Sequence, residues 1–172
     1  MRIIVLSDTH VHGSMPEEVL SIAKSADIVV HAGDFITQEA YESLKAVCKN
    51  LVAVHGNSDS DDLKALLPES TTFEADGIKF GVIHTGRFGT DTTNMRYLAL
   101  EMGVKVLIFG HLHRPIIEQS DVLLVCPGSP TQPRMADPTV VSLDVVDGKV
   151  SGNLVKMTSG DVCGYIKFMR SL

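Results

Sequence analysis

The sequence predicts a mixed α/β sandwich, two packed sheets with helices outside, within one domain of residues 1–172. Three observations predict it. Apolar strand runs alternate with helix-period segments over the first part of the chain, which implies parallel strands joined by crossover helices. Two Asp-Gly pairs, Asp76-Gly77 and Asp147-Gly148, each stand between strand-like runs and mark antiparallel hairpins. At 172 residues and 44% hydrophobic content, the chain has ample length to bury one core.

Taken in order, "RIIVL" is a short apolar strand, and Ser14-Met15-Pro16-Glu17 has the spacing of a capping box. Met15, Val19, Ile22, Ala23 and Ala26 then follow helical periodicity. "DIVVHAGD" is the second strand, Thr37 caps a second helix with Ala40, Leu44 and Val47 on one face, and "LVAVHGN" is the third strand. "TTFEADGIKFGVIH" reads as a type I′ hairpin. A helix follows with Met95, Leu98, Ala99 and Met102 on one face and Gly103 at its end, then a strand over 104–109. After "CPGSPTQPR", "TVVSLDVV" and "KVSGNLVKM" form a second hairpin, so antiparallel strands are expected to close the chain. "DVCGYIKFMRSL" carries no clear assignment, and there is no internal repeat, linker or low-complexity tract.

Composition excludes several classes. No stretch approaches the roughly eighteen apolar residues of a membrane helix, and "MRIIVLSDTH" enters a strand without a signal-peptide core, so the expected location is cytoplasmic. Cys48, Cys126 and Cys163 are odd in number and widely spaced, which suits buried reduced thiols and neither a disulfide frame nor a zinc knuckle. A net charge of −6 disfavours passive binding to nucleic acid or an anionic membrane. Any phosphate chemistry must therefore bring its own positive charge.

The strand ends carry the candidate chemistry. The first ends in Asp8-Thr9-His10, the second in Gly33-Asp34 and the third in Gly56-Asn57-Ser58-Asp59. The hairpin ends in His84, and the strand after the helix in Gly110-His111-Leu112-His113. Each offers a metal-compatible oxygen or nitrogen, and the glycines suit sharp turns or close approach at a compact site. Singly these dipeptides are common in turns. Their placement at successive strand ends is much harder to obtain by accident. If the segment after Gly110 is extended, His111 and His113 point one way and Leu112 turns back to the core.

The ordered blocks "SDTH", "HAGD", "GNSD", "VIHTG" and "GHLH", with "CPGSPTQPR" similar to an Asn-Pro-Gly-Ser segment, resemble the calcineurin-like metallophosphoesterase superfamily, in particular its small single-domain phosphodiesterases. The resemblance spans residues 3 to about 134. It implies a four-layer αββα sandwich, two mixed β-sheets flanked by helices, with a two-metal centre at one end. It assigns Asp8, His10, Asp34 and His113 to one divalent ion, and Asp34, Asn57, His84 and His111 to the other, with Asp34 bridging and Asn57 and His111 also catalytic. Mixed imidazole and carboxylate ligands suit Mn, Ni, Fe, Co or Zn better than Mg or Ca; Mn is the expected ion. The implied reaction is hydrolysis of a small phosphate ester, a diester by resemblance, through attack of a hydroxide bridging the two ions. Two such ions also explain how an acidic chain could bind phosphate.

The protein-phosphatase branch has a histidine after the asparagine, whereas this chain has Ser58, so strong dependence on the leaving group is expected. His31 reads as a core histidine or one orienting Asp34, His12 and His55 as near-site or exposed, and Asp59 as backing a ligand histidine or capping the next helix. Arg87, Arg114 and Arg134 are ordinary surface charges or phosphate contacts, and Ser129 lacks the context of a hydrolase nucleophile. The rival reading is a non-catalytic protein-interaction scaffold like the retromer subunit that shares this fold; all seven ligand positions being competent favours the enzyme. A nuclease is disfavoured by the absence of a basic groove. Monomer and homo-oligomer both stay open.

Overall fold

A computed structural model describes residues 1–87, 89–157 and, as backbone, 167–171. Strands β1 (Arg2–Leu6), β2 (Ile28–His31) and β3 (Leu51–Ala53) run parallel, with α1 (Glu17–Lys24) and α2 (Gln38–Lys45) as crossovers. Ile3 to Leu6 are fully buried, as expected of a strand covered on both faces. The capping box expected at Ser14 does not form. α1 begins only after Pro16, Ser14 is exposed, and the Met15 amide instead donates to Ser43 Oγ of α2 at 2.9 Å. Pro16 presets the entry at φ −56°, and its carbonyl accepts the Val19 and Leu20 amides, so no side-chain cap is used. Thr37 does cap α2, accepting the Ala40 amide at 3.3 Å, and Ser60 caps α3 (Asp61–Leu66).

β4 (Ser70–Ala75) and β5 (Ile78–Ile83) form the expected hairpin, with positive φ at both Asp76 (49°) and Gly77 (76°) as a type I′ turn requires. α4 (Thr92–Glu101) is capped by Asp91 and stops at Gly103, leading to β6 (Val106–Phe109), which starts two residues later than expected. β6 lies parallel to both β5 and β8 (Leu123–Pro127), so parallel pairing continues where antiparallel strands were expected to take over. β8 and its antiparallel partner β7 (Pro115–Gln119) were not anticipated. Their turn, Ser120 to Val122, lacks glycine, and Pro115 argues against a strand; β7 tolerates it because it is the sheet edge. The final hairpin is β9 (Thr139–Val146) and β10 (Lys149–Lys156), turning at Asp147 and Gly148. β11 (Lys167–Ser171) pairs with β10. The rest of the unassigned C-terminal stretch, with Cys163, lies outside the described residues.

The strands make a six-stranded sheet, β11-β10-β9-β1-β2-β3, and a five-stranded one, β4-β5-β6-β8-β7. Ile3, Val30, Phe80, Ile108, Val125 and Val141 belong to the core between them. α1, α2 and Leu63 of α3 cover the outer face of the first sheet through Val19, Ala40 and Leu44. α4 covers the second through Met95 and Ala99, and Leu112 packs there too, as expected. Four layers, αββα, result. Cys126 is buried and Cys48 half-buried, both as free thiols. Among the described residues no helix is long and apolar enough to cross a membrane.

Candidate metal centre

The carboxyl ends of β1, β2 and β3 in one sheet and of β5 and β6 in the other deliver their following residues to one place. Hydrogen bonds lace these loops together. The Asp8 amide donates to Gly33 O and the His10 amide to Asp34 O, each at 3.0 Å, and the Gly110 amide donates to His84 O at 3.0 Å. Across the sheets, the His111 amide donates to both Asp8 carboxylate oxygens, at 2.9 and 3.0 Å. The loops approach too closely for side chains at three glycines, and a Cβ on Gly33 would meet the Gly56 backbone and His84 Nδ1. A Cβ on Gly56 would fall on the Asp34 carboxylate, and one on Gly110 would meet Ser7 Oγ and Ala32 O.

Ligand atoms of Asp8, His10, Asp34 and His113 all lie within 4.8 Å of one another. Asp34 Oδ2 stands 3.3 Å from His10 Nε2 and 3.4 Å from His84 Nε2, so it faces both proposed ligand sets. Beyond His84, Asn57 Oδ1 is 3.1 Å from His84 Nε2 and 2.9 Å from His111 Nδ1. All seven sequence-predicted ligands therefore converge on one cluster. The histidines reach it by a route other than the expected extended segment: His111 and His113 both have positive φ, 75° and 55°. Asp8, His10 and Asp34 share this left-handed geometry, at 55°, 46° and 62°. Five non-glycine residues in a sparsely populated region mark a site whose surroundings over-determine it.

The imidazoles are held from behind. His84 Nδ1–H donates to Ala32 O at 2.7 Å and His113 Nδ1–H to Gln132 O at 2.6 Å, which leaves each Nε2 lone pair facing inward. His84 Nε2 then confronts two acceptors, Asn57 Oδ1 and Asp34 Oδ2. Only a cation or a proton satisfies that arrangement. Without metal the proton does: although burial disfavours its charge, the hydrogen bond and charge of Asp34, with Asp8 behind, hold His84 above its ordinary value. Asp34 responds in kind. Burial opposes its ionisation, but the His84 hydrogen bond and charge and the Ser58 amide, at 2.8 Å, hold it below the usual carboxylate range. Burial raises the Asp8 carboxyl, opposed chiefly by the charge of His84. His10 shows the remaining signature, a buried Nε2 without a hydrogen-bond partner and a pKa lowered first by burial. Two buried carboxylates, a carboxamide oxygen and an orphaned ring nitrogen fit borderline divalent ions.

Other sequence-predicted residues fall outside the cluster. His31 is fully buried against Phe35, accepts the Gly33 amide on Nδ1 at 3.2 Å and reaches Thr9 Oγ1 through Nε2 at 3.1 Å. Thr9 Oγ1 in turn donates to Asp34 O, so His31 secures the backbone of the Asp34 loop; burial keeps it neutral, well below the ordinary histidine value. Asp59 neither backs a histidine nor caps a helix. Its carboxylate accepts the amides of Asp34, Ile36 and Gly56, at 3.0, 2.8 and 2.7 Å, and clamps two ligand loops together. Ser129 is structural: its hydroxyl donates to Asp8 O at 2.7 Å and accepts the Thr131 and Gln132 amides. His12, Arg87, Arg114 and Arg134 are exposed, although the Arg134 amide binds His113 O. Sequence reasoning missed Ala32 and Gln132, because a side chain gives no sign of what its backbone carbonyl accepts, and Thr9, because its hydroxyl's partners are distant in sequence.

The family model for the calcineurin-like phosphoesterase superfamily domain matches residues 1–148. The chain belongs to that superfamily. A probable metallophosphoesterase of Methanothermobacter thermautotrophicus is 35% identical over 175 residues, covering 99% of this chain and 100% of the relative. A phosphodiesterase of Methanocaldococcus jannaschii is 26% identical, covering 84% of this chain and 93% of its own. Among solved structures, vacuolar protein sorting 29 from Cryptosporidium parvum superposes with a TM-score of 0.86 at 19% identity, over 99% of this chain and 98% of that one. At that identity the likeness shows the fold alone. For this superfamily member, the cluster above is the candidate metal-binding site.

Proposed function

We propose that this chain is a dinuclear metal-dependent phosphodiesterase acting on a small phosphate ester as a cytoplasmic enzyme. The observation that carries this is the shared Asp34 carboxylate between two sets of inward-facing donors, backed by Ala32 O, Gln132 O and Asp59. Asp8, His10, Asp34 and His113 would hold one ion, and Asp34, Asn57, His84 and His111 the other. Bound there, two divalent ions such as Mn²⁺ supply the activated water and the clamp on phosphoryl oxygens that such hydrolysis needs. The chain's own residues orient: before an ion is bound, His84 and His111 hold Asn57 Oδ1, and Asn57 Nδ2 donates to Ser58 Oγ at 3.0 Å. The complete donor set favours an enzyme over a scaffold. Diester preference is supported by the phosphodiesterase relative.

The test is metal titration of the chelated protein, with a panel of phosphomonoesters, phosphodiesters and cyclic nucleotides. Mn²⁺ is expected to bind at two ions per chain with release of a proton from His84, and diesters to be hydrolysed fastest. Lack of metal uptake, or full activity after exhaustive metal removal, sinks the reading.

The leaving group supplies a second expectation. Ser58 is exposed, and an aliphatic hydroxyl is a poor general acid near neutrality, where such an acid contributes roughly 10²–10⁴-fold. Aryl diesters with acidic phenols should be cleaved faster than alkyl diesters by a factor of that order. A leaving-group plot without slope would reveal another acid.

A further inference from the structure

A cavity of about 190 Å³ opens beside the second ligand set, walled by Asn57 and His84 and completed by His55, Gly56, Lys64, Glu69 and Thr85. Four of these, His55, Lys64, Glu69 and Thr85, have no part in the metal cluster. Resting on the phosphodiesterase reading, we propose that this cavity receives the ester substituent that stays on the phosphate, and that it selects a small, uncharged, hydroxylated group such as glyceryl or a pentose.

Size, charge and position support the assignment. A volume of about 190 Å³ accommodates a three- to five-carbon polyol. Lys64 and Glu69 both line the cavity, so a second anionic or cationic group there meets charges of both signs. A hydroxyl suits both, accepting from the ammonium and donating to the carboxylate, and hydrogen bonds to charged partners are the stronger kind. Lys64 is also tied to the centre, since its Nζ donates to Asn57 O at 2.9 Å and holds the cavity wall to the loop that carries a ligand. His55 is fixed by its own backbone, its amide on Pro68 O at 3.0 Å, with Nδ1 against Gly56 O at 3.4 Å. The cavity adjoins Asn57 and His84 of the second ligand set, so a phosphate held there puts one of its ester substituents within reach of it.

The experiment compares glyceryl p-nitrophenyl phosphate with propyl p-nitrophenyl phosphate, two diesters that share a leaving group and differ only in two hydroxyls. Both are assayed with Mn²⁺-loaded wild type and with Glu69→Gln, a change at an exposed position that keeps size and removes charge. The wild type is expected to prefer the glyceryl ester by about tenfold in kcat/KM, through KM, and Glu69→Gln to bring that ratio to near one. Equal wild-type rates on the two esters, or an unchanged ratio in Glu69→Gln, overturn the inference while leaving the phosphodiesterase reading intact. Hydrolysis of neither ester by the metal-loaded wild type overturns both.

Discussion

Asp34→Asn is expected to release both metal ions together and to lower phosphodiester hydrolysis by at least about 10³-fold, beyond the 10–100-fold typical of partners that only support a ligand. Asp34 Oδ2 lies 3.3 Å from His10 Nε2 and 3.4 Å from His84 Nε2, while Oδ1 accepts the Ser58 amide at 2.8 Å. The amide has the same shape but lacks the charge that both ligand sets would share. It also turns an NH₂ either on the Ser58 N–H or on the two imidazoles, so one face of the site is mismatched whichever way it settles. His84 loses the main group that holds its pKa up, and the metal-free variant should titrate it at lower pH than the wild type. The fold should survive, because the loop is held independently by Asp59 on the Asp34 amide and by Thr9 on its carbonyl. Metal content, kcat/KM on an aryl diester and the circular dichroism spectrum check these points. Retention of one ion at wild-type affinity with activity within tenfold would remove Asp34 from its bridging place.

Much of this centre was legible because its chemistry sits on side chains at strand ends. Asp8, Asp34 and His84 each follow an apolar run closely, so a short apolar strand with a polar terminus locates them without coordinates. The backbone that aims them was not legible. The extended geometry inferred for His111 and His113 comes from the two-residue spacing, but that spacing is equally compatible with the observed left-handed turns, which bonding of the His111 amide to Asp8 stabilises from outside the segment. Asp59 was misassigned for a similar reason. Its partners are the amides of Asp34, Ile36 and Gly56, mostly distant in sequence and carrying no residue signature. At Ser14 a local pattern predicted a cap, and tertiary packing of Met15 and its amide against the second helix took precedence. The β7–β8 pair escaped because Pro115 and a turn without glycine hide a strand that only an edge position permits.

The division of labour between the two adjacent histidines leads to a second large effect. His113→Ala is expected to weaken the ion shared with Asp8 and His10 by about 10²-fold or more, leaving one ion per chain, while His111→Ala weakens the ion shared with Asn57 and His84. Geometry separates them: His113 Nε2 faces Asp8 Oδ1 at 3.4 Å, whereas His111 Nδ1 faces Asn57 Oδ1 at 2.9 Å. Their structural consequences should also differ. His113 is 3% exposed and anchors the 129–134 segment through Gln132 O, so its loss empties a buried position and removes that anchor, at a cost of about 1–3 kcal/mol, and lowers the Tm of the metal-free protein. His111 is exposed, and removing its ring should change metal-free stability by no more than about 0.5 kcal/mol. Hydrolysis should fall in both variants, since an in-line displacement clamped by paired ions needs both. Metal titration with melting of the metal-free proteins therefore gives each histidine its own signature, an ion lost with destabilisation for His113 and an ion lost without it for His111. If both variants released the same ion, the assignment of the two imidazoles to different metals would fall.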